Sequence, residues 1–259
     1  MPSDLELAFA AADAADGLTL PALRRPGLAV ETKADRTPVT EVDRAVEAAI
    51  RRLVSDERPG DAVLGEEMGT SGGGPRRWVV DPIDGTVNFI RGAPVWATLL
   101  ALQVDGEVVV GMVSAPALGR RWWAERGAGA FTSWNGRPAQ SLRTSSVATL
   151  GEAAVSTGCL SHYRHPEVYL GIALKAKHDR GFGDFWQHML VAESALEAAL
   201  EPVCSLWDLA ALQVVVEEAG GKFTDFSGAR RLESGNGLSS NGLVHEEILS
   251  LLSGEGEQV

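Results

Sequence analysis

The sequence is poor in cysteine. Its 259 residues include only two, Cys159 and Cys204, which are too few for the disulfide framework that holds many small secreted domains together. The first residues, 1–6, are acidic and lack the basic and then apolar segments that mark a secretory signal. We therefore expect a protein of the reducing cytoplasm.

Long apolar runs and an excess of positive charge are also missing. The longest apolar stretch, residues 95–104, is far shorter than the ~18 residues that a membrane-spanning helix needs. The 35 acidic and 23 basic residues give a formal net charge of −12, which disfavours binding to nucleic acid or to an anionic membrane. We expect neither as a partner. An anionic substrate would also be repelled unless bound cations reversed the local field.

The sequence does have the composition of a globular protein built from alternating regular elements. Apolar residues make up 45% of the chain and charged residues 22%, as in ordinary globular domains. Apolar periodicity predicts helices over residues 5–16, 40–55, 185–200 and 206–219, and strands over residues 96–104, 108–113, 121–124 and 130–132. Asp105-Gly106 joins the first two of these strands and is a strong hairpin signal. The last residues, 254–259, are expected to be disordered.

The most informative segment is 81–86, with the sequence DPIDGT. It follows an apolar run, 78–80, that predicts a short buried strand, so Asp81 falls where that strand ends. Gly85 allows the backbone to approach a ligand closely, and the N–H groups after Thr86 would face an anion if a helix begins there. Two carboxylates beside such a helix start suggest a divalent cation that bridges protein and phosphate. An acidic turn without chemistry is the alternative.

Two more acidic clusters lie at the ends of predicted elements. Glu66 and Glu67 follow the apolar stretch 62–64, and Asp208 lies in the first turn of a predicted helix. Elements that end in acidic residues can converge on one point in a fold. Because none of the clusters contains Cys or His, their site would favour Mg²⁺ or Mn²⁺ over Zn²⁺. Neighbouring residues face opposite sides of a strand, and we take Glu66 as the ligand; Asp208 could instead interact only with the helix dipole.

In order and approximate spacing, these motifs resemble those of the inositol monophosphatase superfamily. The resemblance extends over residues 5–252 and includes the segments 33–43 and 217–221. It implies a layered αβαβα sandwich, of the α+β or α/β class. An N-terminal α+β half, 1–145, would carry most of the metal ligands, and a C-terminal α/β half, 146–259, would complete the metal and substrate site. A homodimer is also implied.

The resemblance further implies the metal ligands and the reaction. The implied ligands of two Mg²⁺ ions, for which Mn²⁺ could substitute, are Glu66, Asp81 and the carbonyl of Ile83 for one, and Asp81, Asp84 and Asp208 for the other. A third ion would lie near Asp43. Metal-activated water would attack the ester, with Asp43, Thr86 and Glu66 as catalytic residues, while the phosphate binds at Gly85 and Thr86. No cysteine or histidine is required. Thr40 and Asp43 also fit a helix capping box, which is the structural alternative for Asp43.

Two further carboxylates bear on the alcohol that leaves. Glu201 lies seven residues before Asp208, where inositol phosphatases carry a carboxylate that hydrogen-bonds a ring hydroxyl. Asp184 stands where those enzymes usually have a small residue. The added negative charge suits a cationic substrate better than a neutral polyol.

Several longer segments closely resemble the bacterial histidinol-phosphate phosphatases of the superfamily. These segments are residues 91–97, 114–118, 120–124, 183–185 and 191–193. The resemblance implies a Mg²⁺-dependent phosphomonoesterase that hydrolyses L-histidinol phosphate in histidine biosynthesis, with Asp184 and Glu201 binding the substrate. An inositol 1-monophosphatase, or a broad-specificity sugar or polyol phosphatase, is the alternative. Trp122 or Trp123 could stack on the imidazole of the substrate or pack in the core.

Overall fold

A computed structural model describes residues 2–34 and 37–254. The α-helices of the described residues are α1 (Asp4–Ala22), α2 (Glu41–Glu57), α3 (Thr86–Arg91), α4 (Pro166–Lys175), α5 (Asp184–Ala192), α6 (Leu206–Glu218) and α7 (His245–Leu252). Among these residues, every helix is too short or too polar to cross a lipid bilayer. The predicted disordered tail, 254–259, lies outside the described residues except for Gly254.

The strands form two large sheets and one small hairpin. They are β1 (Val30–Thr32), β2 (Pro38–Thr40), β3 (Ala62–Gly65), β4 (Gly69–Ser71), β5 (Arg76–Asp84), β6 (Ala97–Val104), β7 (Glu107–Ala115), β8 (Arg120–Glu125), β9 (Gly129–Trp134), β10 (Gln140–Ser141), β11 (Ala154–Thr157), β12 (His178–Arg180), β13 (Ala198–Glu201), β14 (Lys222–Thr224) and β15 (Gly237–Ser240). β1 and β2 form the hairpin.

The two large sheets differ in strand direction. The larger sheet has the order β10-β9-β8-β7-β6-β5-β3-β4 and is antiparallel except between β3 and β5. The smaller sheet has the order β12-β11-β13-β15-β14, in which β11 is parallel to both of its neighbours. Strands of the larger sheet come from residues 62–141 and those of the smaller sheet from residues 154–240. The division of the chain into halves at 1–145 and 146–259 stays a prediction.

Helices cover both sheets and give the molecule five layers. α1 and α2 pack on one face of the larger sheet through a core that includes Ile50, Trp78 and Leu100. α5 and α6 lie between the two sheets, and α4 and α7 pack on the smaller sheet through Ile172 and Ile248. Because α6 is covered on both sides, it is apolar almost all round. The αβαβα sandwich that the resemblance implied is confirmed.

Most predicted elements are confirmed, with small changes in length. α2 begins directly after Thr40, as predicted, and extends to Glu57. α1 continues past Asp16 as far as Ala22, because Thr19 and Ala22 in its last turns are buried. The hairpin between β6 and β7 turns through two residues with positive φ, as its Asp-Gly sequence predicts.

The helix predicted over residues 185–200 is wrong in its second half. α5 ends at Ala192, Ser194 has a φ of +61°, and the chain then enters β13. β13 is hydrogen-bonded between β11 and β15 in the middle of the smaller sheet, and Leu200 is fully buried there. Partner strands on both sides outweigh the helix propensity of an alanine-rich segment. Glu201, the last residue of β13, therefore lies at a strand end beside the candidate active site.

Candidate active site

Asp81 and Asp84 lie where the pairing of β5 with β6 is interrupted. β5 continues beyond the predicted strand 78–80 as far as Asp84, but its register shifts between the two aspartates. Within the shift, the N–H of Ile83 donates a hydrogen bond to Oδ1 of Asp81 (3.0 Å). Irregularities of this kind are common beside active sites, where they redirect side chains. The expectation that Asp81 marks the end of the strand is therefore corrected by a few residues.

α6 brings Asp208 to the same place. The N–H of Ser205 donates to Oδ2 of Asp208 (2.6 Å), so the aspartate does cap the helix. A carboxylate oxygen of Asp208 also lies within 4.8 Å of carboxylate oxygens of Asp81 and Asp84. Asp208 can therefore both cap α6 and belong to the acidic cluster. Three of the predicted metal ligands meet in space, from β5 and α6.

Glu66 reaches this group from the turn between β3 and β4, which is held from below by Glu47 of α2. The fully buried Glu47 carboxylate accepts hydrogen bonds from the N–H groups of Glu67 (2.7 Å) and Met68 (3.1 Å). A Cβ on Gly65 would lie only 2.1 Å from that carboxylate, so this position requires glycine. Sequence reasoning missed Glu47. Its signal was a second charged residue, besides Asp43, on the buried face of α2.

Arg51 and Lys33 supply the positive charge around this turn. Arg51 pairs with Glu47 one helical turn earlier and also donates to Ser71 Oγ (2.7 Å) in β4. Lys33 lies between the two glutamates of the turn, with its Nζ 2.6 Å from Glu66 Oε1 and 2.5 Å from Glu67 Oε1. Burial lowers the pKa of Lys33, but these bonds outweigh it and raise the pKa above its usual value. The negative charge of Glu66 therefore already attracts one cation, the ammonium group of Lys33.

The clustered carboxylates destabilise one another. Burial raises the pKa of Asp81 well above its usual value, and the charges of Glu66, Asp84 and Asp208 raise it further. Burial does the same to Asp84, together with the charge of Asp184. Burial raises the pKa of Asp208 to about 7, and the negative charge of Glu66 contributes to this increase. Such a group is stable in its charged form only when a cation shares the site.

Asp43 lies in the interior of the protein, not at the exposed surface of the acidic group. The side chain is fully buried, and its Oδ2 accepts hydrogen bonds from the N–H (2.8 Å) and the hydroxyl of Thr40. Its Oδ1 has no partner among the described residues. Burial raises the pKa of Asp43, the Thr40 bonds lower it, and the charge of Glu66 raises it again. The capping role is therefore present, and one buried carboxylate oxygen remains available.

Gly85 and Thr86 lie where α3 begins, as expected. Gly85 has a φ of +83°, and a Cβ there would lie 3.0 Å from the carbonyl oxygen of Val95. The hydroxyl of Thr86 donates to the carbonyl of Ile83 (2.9 Å). That carbonyl, an implied metal ligand, keeps a second lone pair. No contact between Thr86 and Asp43, two of the implied catalytic residues, is present among the described residues.

Asp184 and Glu201 lie on the far side of the acidic group. Asp184 has a φ of +51° at the start of α5, where the N–H of Phe185 donates to Oδ2 of Asp84 (2.6 Å). Glu201 accepts a hydrogen bond from Gln187 Nε2 (2.8 Å). Burial raises the pKa of Glu201 to about 8, helped by the charges of Asp184 and Asp208. The two predicted substrate-binding carboxylates are thus close to the predicted metal ligands.

Two connected cavities open beside these residues. An outer cavity of about 660 Å³, here called the cleft, is lined by Glu66, Asp81, Asp84 and Thr86 among others. An inner cavity of about 180 Å³ shares Asp84 with it and continues inward past Glu201. Of the two alternatives for Trp122 and Trp123, the structure favours packing in the core, because neither residue lines these cavities. Trp122 is fully buried against Phe185, and Trp123 packs on Phe9 and Phe131.

The donor atoms fit a hard divalent cation. Asp81, Asp84 and Asp208 offer carboxylate oxygens close enough together to coordinate one ion, and oxygen ligands are those that Mg²⁺ and Mn²⁺ prefer. The unpartnered buried oxygen of Asp43 and the raised pKa values of the cluster indicate the same. All five predicted metal ligands, including Glu66 and Ile83, line the cleft. Of these, Glu66 is paired with Lys33 in this structure.

Comparisons with known proteins agree with this arrangement. The model of the inositol monophosphatase family matches residues 3–257. A histidinol-phosphatase from Mycobacterium tuberculosis is 50% identical over 255 residues, covering 96% of this chain and 98% of the relative. A histidinol-phosphatase from Streptomyces coelicolor is 48% identical, covering 96% and 97%. The solved structure of an IMPase from Thermotoga maritima has a TM-score of 0.88 and 32% identity, covering 98% of each chain. The chain therefore belongs to the inositol monophosphatase family and is a phosphoric monoester hydrolase.

Proposed function

We propose that this protein hydrolyses L-histidinol phosphate to L-histidinol and inorganic phosphate, with Mg²⁺ as its metal. The observation that carries the proposal is the pair of carboxylates, Asp184 and Glu201, beside the acidic cluster. Burial raises the pKa of both, so each would be stabilised by a positively charged ligand. The ammonium and imidazole groups of histidinol phosphate are such ligands.

The relatives support the same substrate. The relatives from Mycobacterium tuberculosis and Streptomyces coelicolor are histidinol-phosphatases, and about half of their residues are identical to this chain. Inositol 1-phosphate is the alternative, because one structural relative is an IMPase. A neutral polyol would nevertheless leave Asp184 and Glu201 without a cationic partner. The two buried carboxylates therefore favour the amine-bearing ester.

The proposed function also requires bound metal, a requirement shared across the family. The inositol monophosphatase family is metal-dependent, and the acidic cluster fits a divalent ion. We propose two or three Mg²⁺ ions per subunit, with Mn²⁺ as a substitute, held by Glu66, Asp81, the Ile83 carbonyl, Asp84 and Asp208. When bound, these ions would offset the charge of the phosphate and make water a better nucleophile.

The chain's own groups would orient the reactants. Oδ1 of Asp43 has no partner in the described part of the chain and would accept a hydrogen bond from the attacking water, which the hydroxyl of Thr86 would hold from the cleft. Because Gly85 has no side chain, a phosphate oxygen could approach the N–H groups of Gly85 and Thr86 closely. Asp84 would be kept in place by the N–H of Phe185. Such fixed groups need little rearrangement during the reaction.

The leaving alcohol would be held on the inner side of the cluster. Glu201 would pair with its ammonium group, and Gln187 fixes the Glu201 carboxylate from behind. Asp184 would add negative charge at the same end, and Asn88 Nδ2 lies 3.3 Å from its Oδ2. These groups would select the alcohol, whereas the metal cluster would bind any phosphate monoester.

The assembly and location of the protein remain proposals as well. We propose a homodimer in the cytoplasm that binds neither nucleic acid nor membranes. The net charge of −12 disfavours binding to nucleic acid and to anionic membranes. Sedimentation equilibrium of the purified protein tests the homodimer. A measured mass of one chain, 27.4 kDa, would overturn it.

Phosphate release from L-histidinol phosphate tests the proposed function. Wild-type protein with Mg²⁺ should turn over the ester, and EDTA should stop it. Asp84→Asn removes the charge of a proposed metal ligand but keeps the shape of the side chain and an acceptor for the N–H of Phe185, so it should abolish turnover while the far-UV CD spectrum stays native. Full activity of this variant, or of the EDTA-treated protein, would contradict the metal-dependent mechanism.

A further inference from the structure

The inner cavity has a wall of its own. The residues that line it without lining the cleft are Phe185, His188, Glu201, Leu209 and Leu212. They come from α5, from α6 and from the end of β13. Three of the five are apolar, one is the carboxylate already considered, and the fifth is an imidazole. This part of the wall is therefore mostly apolar, whereas the part that the cavity shares with the cleft includes Asp84, Asp184 and Asp208.

His188 is fully buried and hydrogen-bonded on only one side. Its Nδ1 lies 2.8 Å from the hydroxyl of Ser239 in β15. Its Nε2, on the opposite edge of the ring, has no partner among the described residues. Burial lowers the pKa of His188 to about 3, so the ring is neutral and Nε2 can donate or accept one hydrogen bond, according to its tautomer. A buried polar atom left unpaired is costly and calls for an explanation.

His245 shows how this protein buries a histidine that has only a structural role. Its Nε2 lies 2.9 Å from the hydroxyl of Thr224 and its Nδ1 lies 2.8 Å from the hydroxyl of Ser240. Both ring nitrogens are therefore satisfied within the chain, and the residue lines neither cavity. Of these two buried rings, only His188 lies at a cavity wall, and only His188 has a nitrogen to spare. The difference indicates a partner from outside the chain.

We propose that the inner cavity is a subsite for a nitrogen heterocycle carried by the leaving alcohol, and that Nε2 of His188 forms the hydrogen bond that recognises this ring. The inference rests on the proposed function, because it takes the phosphate to be held at the metal cluster. Phe185, Leu209 and Leu212 offer apolar surface to the faces of the ring. Glu201 is then free to pair with the ammonium group of the same ligand.

The same wall discriminates against polyols. The hydroxyl groups of a cyclitol that face Phe185, Leu209 or Leu212 would lose their hydrogen bonds to water without gaining a partner. Leaving polar groups unpaired is a strong basis for rejecting a ligand. A ring with one or two nitrogens needs only the partners that the cavity has.

Two substitutions of His188 separate its two nitrogens. In His188→Asn the amide lies near the former Nδ1 and can still bond Ser239, but the Nε2 edge is gone. In His188→Gln the amide reaches the former Nε2 position and the Ser239 bond is given up. The readout is the ratio of kcat/KM for L-histidinol phosphate to that for O-phosphoethanolamine, which keeps the amine and lacks the ring. We expect His188→Asn to lower this ratio about tenfold, the value of roughly one hydrogen bond, and His188→Gln to lower it less.

Two further variants serve as controls for the His188 substitutions. His245→Asn damages the other buried histidine and should leave the ratio at its wild-type value. Leu212→Phe fills the inner cavity from the α6 side without removing either bond of His188, so it should lower the ratio even if His188→Asn fails to fold. Equal losses on both substrates, or a larger loss in His188→Gln than in His188→Asn, would mean that His188 is only structural.

Binding of the product separates this inference from the proposed function. L-histidinol is titrated calorimetrically into Mg²⁺-loaded wild-type protein and the two His188 variants, without any turnover. Binding that is weakened in His188→Asn and retained in His188→Gln would support the subsite even if L-histidinol phosphate proved not to be a substrate. Equal affinity in all three proteins would overturn the subsite even if L-histidinol phosphate were hydrolysed rapidly.

Discussion

Replacing Glu47 by glutamine tests how the Glu66 turn is positioned. The Glu47 carboxylate accepts hydrogen bonds from the N–H groups of Glu67 and Met68 and pairs with Arg51. Glutamine has nearly the same shape, but only one of its two terminal atoms accepts hydrogen bonds. The other would face a donor from the turn or from the guanidinium. The substitution therefore removes both the charge and part of the support of the turn.

The structure sets the size of the effect. Breaking a buried ion pair by removing one partner costs about 3–5 kcal/mol, and we take about 3 kcal/mol because one acceptor remains. For a chain of this size, each kcal/mol shifts Tm by roughly 2–4 °C, so Tm should fall by about 6–12 °C. If Glu66 is a metal ligand, loss of the support behind it should also weaken metal binding by roughly tenfold or more.

Thermal unfolding and calorimetric titration with Mg²⁺ measure the two effects on the same protein. Asp225→Asn is the matched control. The buried Asp225 carboxylate also accepts bonds from two N–H groups, those of Ser227 and Ala229, and pairs with Arg231, but it lines neither cavity. We expect both variants to lose thermal stability and only Glu47→Gln to lose Mg²⁺ affinity. Unchanged Mg²⁺ affinity in Glu47→Gln would refute the positioning argument.

Three more predictions concern the same site. Neutralising both Asp184 and Glu201, as Asp184→Asn with Glu201→Gln, should raise KM for L-histidinol phosphate far more than for myo-inositol 1-phosphate; equal changes would count against charge selection. Gly85→Ala should lower both Tm and phosphate release, because its Cβ meets the Val95 carbonyl, whereas Gly106→Ala, with a similar φ of +85° and open space around it, should affect only Tm. In EDTA, Tm should fall as pH rises from about 6.5 to 8, because the folded protein keeps protons on Glu201 (pKa about 8) and Asp208 (pKa about 7) that the unfolded chain has released. At lower pH the buried His188 and His245, whose pKa values burial lowers, oppose this trend. Saturating Mg²⁺ should flatten that slope, and a Tm that rises over this pH range would contradict it.

The parts of the site that the sequence predicted are those with a local signal. The acidic residues of 81–86 and Asp208 were found because they follow a strand or open a helix, and the structure brings them together. The α2 helix and the β6–β7 hairpin were predicted for a similar reason, since apolar periodicity and an Asp-Gly turn act over a few residues.

The parts that could not be predicted depend on distant partners. Residues 198–201 form a strand because β11 and β15 lie on either side of them, which no local pattern of alanines and leucines reveals. Glu47 supports a turn twenty residues further along the chain. The free nitrogen of His188 became visible only after the position of Ser239 was known.

The most direct test of the account compares two substrates on the wild-type protein. Phosphate release is measured with Mg²⁺ from L-histidinol phosphate and from myo-inositol 1-phosphate, side by side. We expect a kcat/KM preference of roughly 100-fold or more for L-histidinol phosphate, equivalent to about 2.7 kcal/mol of transition-state binding. Equal rates, or a preference for the inositol ester, would contradict it.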